Sequence, residues 1–320
     1  MQALVLDPTG VFGVDVGSTE LMIAPADSSK AAFPIPNSPA AILRWLKTLP
    51  ADCRIGMEAT GPYHRSLADL AFCAGHTVWV FNPALVAHHL RSGNARGKTD
   101  RLDARGIANY VLKESHQFHP YEPPSPLHKE LHGLIQCRHQ IVKQRIAMKM
   151  SLADLPGCDA PIKGVCDAFD ALLANIDARI EKVCASDPEW QGRRNRLRSI
   201  TGIGKLVSVM VAARISRVPY ANSDALVAAF GLDPRARDSG KYKGKRLLSK
   251  QGNAEERRLL YCAAMAACRS PLFKALRDKL MARGLASTQA YCIIARKLVR
   301  IAFAVWHSNQ PFNPLLVGKA

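Results

Sequence analysis

Four carboxylates in the N-terminal third of this 320-residue chain are placed where one reaction could use them together. Asp15 stands at the end of the apolar run Val11-Phe12-Gly13-Val14, and Glu58 ends Cys53-Arg54-Ile55-Gly56-Met57, both of which read as buried strands. If those strands are neighbours in a sheet, both acids point from one edge. Asp100 and Asp103 lie at a helix start with i, i+3 spacing, which stacks them on one face of its first turn. Carboxylates gathered this way repel unless cations neutralise them, and oxygen-only ligation suits Mg2+, with Mn2+ as a substitute. Two such ions, roughly 3.5 to 4 Å apart, would activate a nucleophile and stabilise a leaving oxygen in phosphodiester chemistry. Singly, each acid has an ordinary role as a turn, strand-end or helix-start residue; jointly, a metal-binding tetrad explains them better.

The elements that must position these acids follow from periodicity. Val11–Val16, Glu20–Ala24 and Ala31–Ile35 read as three strands in meander, then Ala40–Leu49 as a helix behind Pro39. A fourth strand at Cys53–Glu58, a helix at Tyr63–Ala74, a fifth strand at His76–Phe81 and a helix at Pro83–Arg91 complete a β-β-β-α-β-α-β-α order. That order is the one found in ribonuclease H-like mixed sheets, an analogy of fold that does not by itself fix chemistry. Proline-rich residues 121–126 end this domain, predicted as 1–124.

Residues 125–195 are expected to form a helical hairpin or coiled-coil arm. Leu127, Leu131, Ile135, Val142, Ile146 and Met150 make one apolar stripe, Phe169 to Val183 make a second, and Pro156-Gly157 separates them. Two ordinary core helices would show the same stripes. A mainly helical, basic domain is predicted over 196–320. There Ile200-Thr201-Gly202-Ile203-Gly204-Lys205 has the turn of a helix-hairpin-helix, whose glycines let backbone amides approach a phosphate; a tight turn into a buried helix is the plainer reading.

Charge separates these regions. Residues 1–124 carry 11 Lys/Arg against 11 Asp/Glu, and 192–320 carry 25 against 6. Arg235, Arg237, Lys241, Lys243, Lys245, Arg246 and Lys250 face a single acid, Asp238. Such asymmetry is the footprint of a nucleic-acid surface, to which Lys98, Arg101, Gly202, Gly204 and Lys205 are natural additions. No apolar run reaches the roughly 18 to 20 residues of a membrane span, and the first residues lack a secretory signal. Residence in the cytoplasm is therefore expected, with the nine cysteines reduced. His116, His119, His128, His132, Cys137 and His139 match no zinc-finger spacing. Gly13-Val14-Asp15-Val16-Gly17-Ser18-Thr19 looks like the first phosphate loop of actin-like sugar kinases, but the second loop and the adenosine motif are absent. A DEDD exonuclease would carry Asp-x-Glu on its first strand, where Gly17 stands here. A regulator without catalysis would have no use for four converging acids.

With these motifs in order along the chain, the sequence resembles the IS110/IS1111 family of transposases, related to the Piv-type DNA invertases. The likeness runs through Gly13-Val14-Asp15-Val16, Met57-Glu58-Ala59-Thr60-Gly61-Pro62-Tyr63, Asn82-Pro83 and Lys98-Thr99-Asp100-x-x-Asp103-Ala104-x-x-Ile107-Ala108. It resumes at Gly202-Ile203-Gly204, Gly231-Leu232-x-Pro234, Ser239-Gly240 and Ser249-Lys250-x-Gly252-Asn253. The resemblance implies a RuvC-like N-terminal domain in which Asp15, Glu58, Asp100 and Asp103 bind the metal. It implies a C-terminal transposase domain in which Ser239 forms a phosphoserine link to DNA, although without the resemblance Asp238-Ser239-Gly240 reads first as a turn. It further implies a structured noncoding guide RNA that selects donor and target DNA; a homo-oligomer, dimer or tetramer, is expected from the arm and from the symmetric need to cut two duplexes. Departures are Gly17-Ser18-Thr19 in place of a Ser-Lys pair, and Gln251 where a basic residue is usual. A RuvC-like structure-specific endonuclease, or a site-specific invertase needing no guide RNA, is the alternative.

Overall fold

A computed structural model describes residues 9–92, 99–153, 155, 157–235, 238–239, 242–244 and 246–316, with backbone alone at 90–92, 238–239, 242–243 and 316. The chain divides into two compact units, Met1–Pro123 and Pro124–Ala320. Lys98, Arg237, Lys241 and Lys245, expected at a nucleic-acid surface, lie outside the described residues.

The first unit is a mixed α/β layer structure. Strands β1 (Val11–Val16), β2 (Glu20–Pro25) and β3 (Phe33–Pro36) form the meander. Helix α1 (Pro39–Leu46), strand β4 (Arg54–Glu58), helix α2 (Arg65–Cys73), strand β5 (Thr77–Phe81) and helices α3 (Pro83–Ser92) and α4 (Asp100–Glu114) follow. Spatial order in the sheet is β3-β2-β1-β4-β5, which puts β1 beside β4 in parallel, with Val14 opposite Met57. Strand alternation then sorts side chains onto two faces. Val14, Val16, Leu21, Ile23, Ile55 and Met57 pack with Ile42, Trp45 and Leu67 of α1 and α2. On the opposite face Val11, Trp79 and Phe81 pack with Val86 of α3 and Ile107, Tyr110 and Val111 of α4.

Gly13 and Gly56 occupy facing rungs on that second face. A Cβ on Gly13 would lie 2.2 Å from the Ala104 carbonyl and the Ala108 nitrogen, and one on Gly56 would lie 2.2 Å from a Val111 methyl. Helix α4 therefore rests on the sheet backbone itself. Arg105 reaches sideways from α4 to donate to the carbonyls of Asp27 and Lys30 in the β2–β3 turn.

Both edges of this sheet are blunted. Pro34 and Pro36 sit on β3, and a proline can pair only where its missing N–H points away from the neighbour, so the outer edge lacks donors there. Along β5 the Tyr121 N–H donates to the Val78 carbonyl at 2.6 Å.

The second unit is helical around one large core. Helices α5 (Pro126–Ser151) and α6 (Asp159–Ala185) form an antiparallel hairpin, tied by Arg138 to Asp177, Arg145 to Asp170 and Arg179 to Glu130. The apolar stripe is only partly core: Leu131 is buried, as is Ile141 beside Val142, whereas Ile146 is 53% and Met150 75% exposed toward the hairpin tip. Helices α7 (Pro188–Arg198), α8 (Lys205–Ile215) and α9 (Ser223–Ala229) continue the chain. Two-residue strands β6 (Pro234–Arg235), β7 (Asp238–Ser239), β8 (Tyr242–Lys243) and β9 (Leu247–Leu248) interrupt the helices. Helices α10 (Ala254–Ala267), α11 (Pro271–Ala282) and α12 (Ser287–Ser308) complete it. The sequence reading did not foresee the four short strands. Among the described residues no single helix is long and apolar enough to cross a membrane.

Two polar anchors organise this core. Arg194 on α7 is wholly buried, forms two bonds to Glu181 of α6 at 2.6 and 2.7 Å, and also donates to Ser208 and to the Lys205 carbonyl at the start of α8. His128 on α5 is bonded through Nδ1 to the Ser125 hydroxyl and through Nε2 to the Ser216 hydroxyl, each at 2.7 Å. Ser216 donates to the Ala212 carbonyl and accepts from Trp190, so the imidazole gives its proton from Nε2 and accepts at Nδ1.

Candidate active site

Asp15 follows Gly13 by two residues and Glu58 follows Gly56 by two, so alternation puts both acids on the α4 face, each one residue beyond the last paired rung, Val14 with Met57, of parallel β1 and β4. Both are partly buried. The fold builds this pair from two short apolar strands that each end in an acid. Helix α4 opens with its own two acids: the Thr99 hydroxyl caps it by accepting from the Leu102 N–H, and Asp100 and Asp103 occupy its first turn. Negative charge there is also favoured by the helix dipole. Asp100 and Arg101 are exposed and Asp103 is half-buried.

The donor set is all carboxylate oxygen, which matches a hard divalent cation. The backbone supplies two acids on one sheet face and two on the first turn of the helix seated against that face. Among the described residues, however, no three His, Cys, Asp or Glu side chains approach closely enough to hold an ion between them. Two of the histidines considered for zinc are engaged otherwise: His128 holds the two serines, and His139 pairs with Glu255 at 3.0 Å.

In the second unit, the Gly202-Ile203-Gly204 turn enters α8 as expected, for reasons divided between its glycines. Gly202 has φ +92°, and a Cβ there would lie 2.5 Å from the Ala263 carbonyl and 2.7 Å from the Ala267 Cβ, so it is a packing glycine against α10. Gly204 faces open space as the N-cap of α8, and Lys205 beside it is exposed. Of the arginines flanking this turn, Arg194 is withdrawn into the core. Arg193 lies 5.5 Å over the Trp306 ring and pairs with Glu189, so its charge is partly engaged.

Ser239 lies on β7, whose rungs pair Asp238 with Lys243 and Ser239 with Tyr242. Arg235 is 55% exposed and donates to Gln251; Arg246 and Lys250 are exposed, and of the Lys243 site only the strand is described. Sequence reasoning missed Asp233 and Ser249, which bond across the base of this hairpin. A signal was present, since each falls inside one of the two glycine-containing motifs, Gly231-Leu232-x-Pro234 and Ser249-Lys250-x-Gly252-Asn253.

Comparisons with known proteins agree on one family. The IS110-type DEDD transposase model matches residues 12–155, and the model for transposases of the IS116/IS110/IS902 family matches residues 194–278. Relatives include the pilin gene-inverting protein of Moraxella bovis, 29% identical over 267 residues (80% of this chain and 81% of the relative). The corresponding protein of Moraxella lacunata is likewise 29% identical, over 80% of this chain and 81% of its own length. The transposase of insertion sequence IS1111A from Coxiella burnetii is 23% identical over 94% of this chain and 87% of its own.

Proposed function

The chain belongs to the IS110 family of transposases, and from that membership we propose that it cuts and exchanges DNA strands with an acidic tetrad in its first unit and a serine in its second. Transposase or recombinase activity goes with the family, and the DEDD class implies a divalent metal. Asp15, Glu58, Asp100 and Asp103 would hold that metal in a RuvC-like domain, with Mg2+ as the natural ion for an all-oxygen set. When bound, it would supply charge neutralisation at the scissile phosphate and a lowered pKa for an attacking hydroxyl.

The observation that carries the reading is the placement of Asp15 and Glu58 at the ends of neighbouring parallel strands, on the face that receives α4. What the chain's own residues do follows from it. The glycine seat holds α4 against the strands that bear the first two acids, so all four are carried on one packed body. Ser239 attacks phosphorus and leaves a phosphoserine ester, releasing the 3′ or 5′ hydroxyl of the broken strand; reversal of that step on a second duplex joins new ends. The basic residues of the second unit hold the phosphate backbone, and a structured guide RNA selects donor and target by pairing.

The test replaces the carboxylates without touching the basic surface. Asp15→Asn and Glu58→Gln should each abolish strand exchange while nucleic-acid binding stays near wild type. Wild-type product from either variant sinks the tetrad. A second reading, inversion of a DNA segment between two sites, is favoured by the two Moraxella relatives and uses the same strand exchange. A plasmid with two opposed element ends, assayed with and without copurifying RNA, separates guided transposition from unguided inversion.

A further inference from the structure

The chain enters and leaves the Ser239 hairpin through a narrow neck that is held by side chains as much as by backbone. Strands β6 and β9 share two rungs, Pro234 with Leu248 and Arg235 with Leu247, and β7 and β8 share two more. Four rungs make at best a marginal ribbon in water. Below them the neck is fixed to the core. Phe230 and Leu232 are buried, and the two glycine motifs interlock. A Cβ on Gly252 would lie 2.6 Å from the Ala229 carbonyl oxygen, and one on Gly231 2.8 Å from the Gln251 nitrogen. The Ser249 N–H donates to the Asp233 carbonyl at 2.9 Å and the Lys250 N–H to the Gly231 carbonyl at 3.2 Å, with Lys250 in the left-handed region at φ +55°.

Two side-chain bonds then cross the neck. The Ser249 hydroxyl donates to Asp233 Oδ1, and the Arg235 guanidinium donates to Gln251 Oε1. Arg235 Nε also stands 4.0 Å from Asp233 Oδ2, so the carboxylate is braced from both sides. Gln251 thereby acquires a reason: a basic side chain at that place would face Arg235 with like charge. We propose that Asp233 and Ser249, seconded by Arg235 and Gln251, are positioning residues that clasp the neck and fix the turn bearing Ser239 for attack on DNA.

This rests on Ser239 as the nucleophile, so the experiment reads the two claims separately. In the full chain with its copurified nucleic acid, Ser249→Ala, Asp233→Ala and Ser249→Thr are compared with wild type and with Ser239→Ala. Amide hydrogen exchange across 234–248 should quicken in the two alanine variants and not in Ser249→Thr, which keeps the hydroxyl. Single-turnover cleavage of duplex DNA carrying the element's own end, at saturating DNA, should fall by about 100-fold in the alanine variants, as loss of alignment predicts. Affinity for that DNA and the melting temperature should barely move, and Ser249→Thr should recover most of the rate. Unchanged exchange in both alanine variants overturns the clasp. So does unchanged cleavage in them while Ser239→Ala is inactive, or a loss of affinity in step with rate, or failure of threonine to rescue. Full cleavage by Ser239→Ala instead overturns the nucleophile, and the exchange data then decide alone whether the clasp exists.

Discussion

Gly13 is the residue on which the acidic site most directly depends, although it carries no chemistry. An added methyl would have to share space with the backbone of Ala104 and Ala108, which no rotamer change relieves. Gly13→Ala should therefore lower the stability of the first unit by about 3 kcal/mol or more, measured by thermal or urea unfolding. A variant that still folds should have lost strand exchange, because α4 must lift and carry Asp100 and Asp103 away. In the second unit the counterpart is the Arg194–Glu181 pair. The Arg194 hydrogen bonds hold the Glu181 carboxyl below its ordinary value of 4.5 against the opposing effect of burial. A carboxylate whose folded pKa is depressed contributes stability that is present above its unfolded pKa and is lost as pH falls through the folded one. Melting temperature should thus decline below about pH 4.5. Glu181→Gln should flatten that decline and, at neutral pH, cost about 3 kcal/mol, the low end for stranding a buried guanidinium because Glu181 is 36% exposed. A flat acid limb in wild type would remove Glu181 as its cause.

Among the elements, α5 is tied at its first turn by an imidazole whose burial favours the neutral form. Burial pushes the His128 pKa below 6.5, with Arg217 adding to the effect, so the ring that bonds Ser125 and Ser216 favours its neutral form. Here the unfolded chain binds a proton more readily than the folded one, so stability falls as pH drops below the unfolded value of about 6.5 and levels off below the folded one. His128→Phe should erase that part of the pH profile, and an unaltered profile would place it elsewhere. This network was not legible beforehand, since its partners lie 88 residues apart and a serine following a helix carries no signature. The sheet was legible almost to the residue. β1, β4 and β5 alternate or run apolar with acids or turns at their ends, and each observed strand lies within one or two residues of its expected place. The basic hairpin was not, because its strands are two residues each and pattern needs length to show. The helical stripe of α5 was visible, but periodicity could not tell that its first half faces a core and its second half water. At Gly202 the sequence shows a tight turn but not the close packing against α10 that requires a glycine there.

At the scale of the whole molecule, charge and chemistry are divided: the acids lie in a unit balanced in charge, and the excess of cations lies in the segment after residue 192. Binding should weaken steeply with salt, with a log-log slope of roughly −0.7 to −0.9 per neutralised phosphate, and replacing Lys241, Lys243 and Lys245 by glutamine should flatten it. An unchanged slope would move the contact surface off the hairpin. Since the tetrad and Ser239 belong to different units, two copies could complete each other's sites, as the paired cutting of two duplexes would favour. Mixing inactive Asp15→Ala with inactive Ser239→Ala should then restore part of the strand exchange. No recovery from demonstrated mixed oligomers would mean that each chain completes its own site. The blunted sheet bears on how such copies can meet. A ribosome releases the first unit before the second, and several nascent chains on one message would present that young sheet to one another. With Pro34 and Pro36 withholding donors on one side and Tyr121 occupying the Val78 carbonyl on the other, neighbours find less of a template to extend, which works against cross-strand aggregation at birth. Joining of copies then falls more to side chains, which choose partners by shape and charge, as a backbone edge does not.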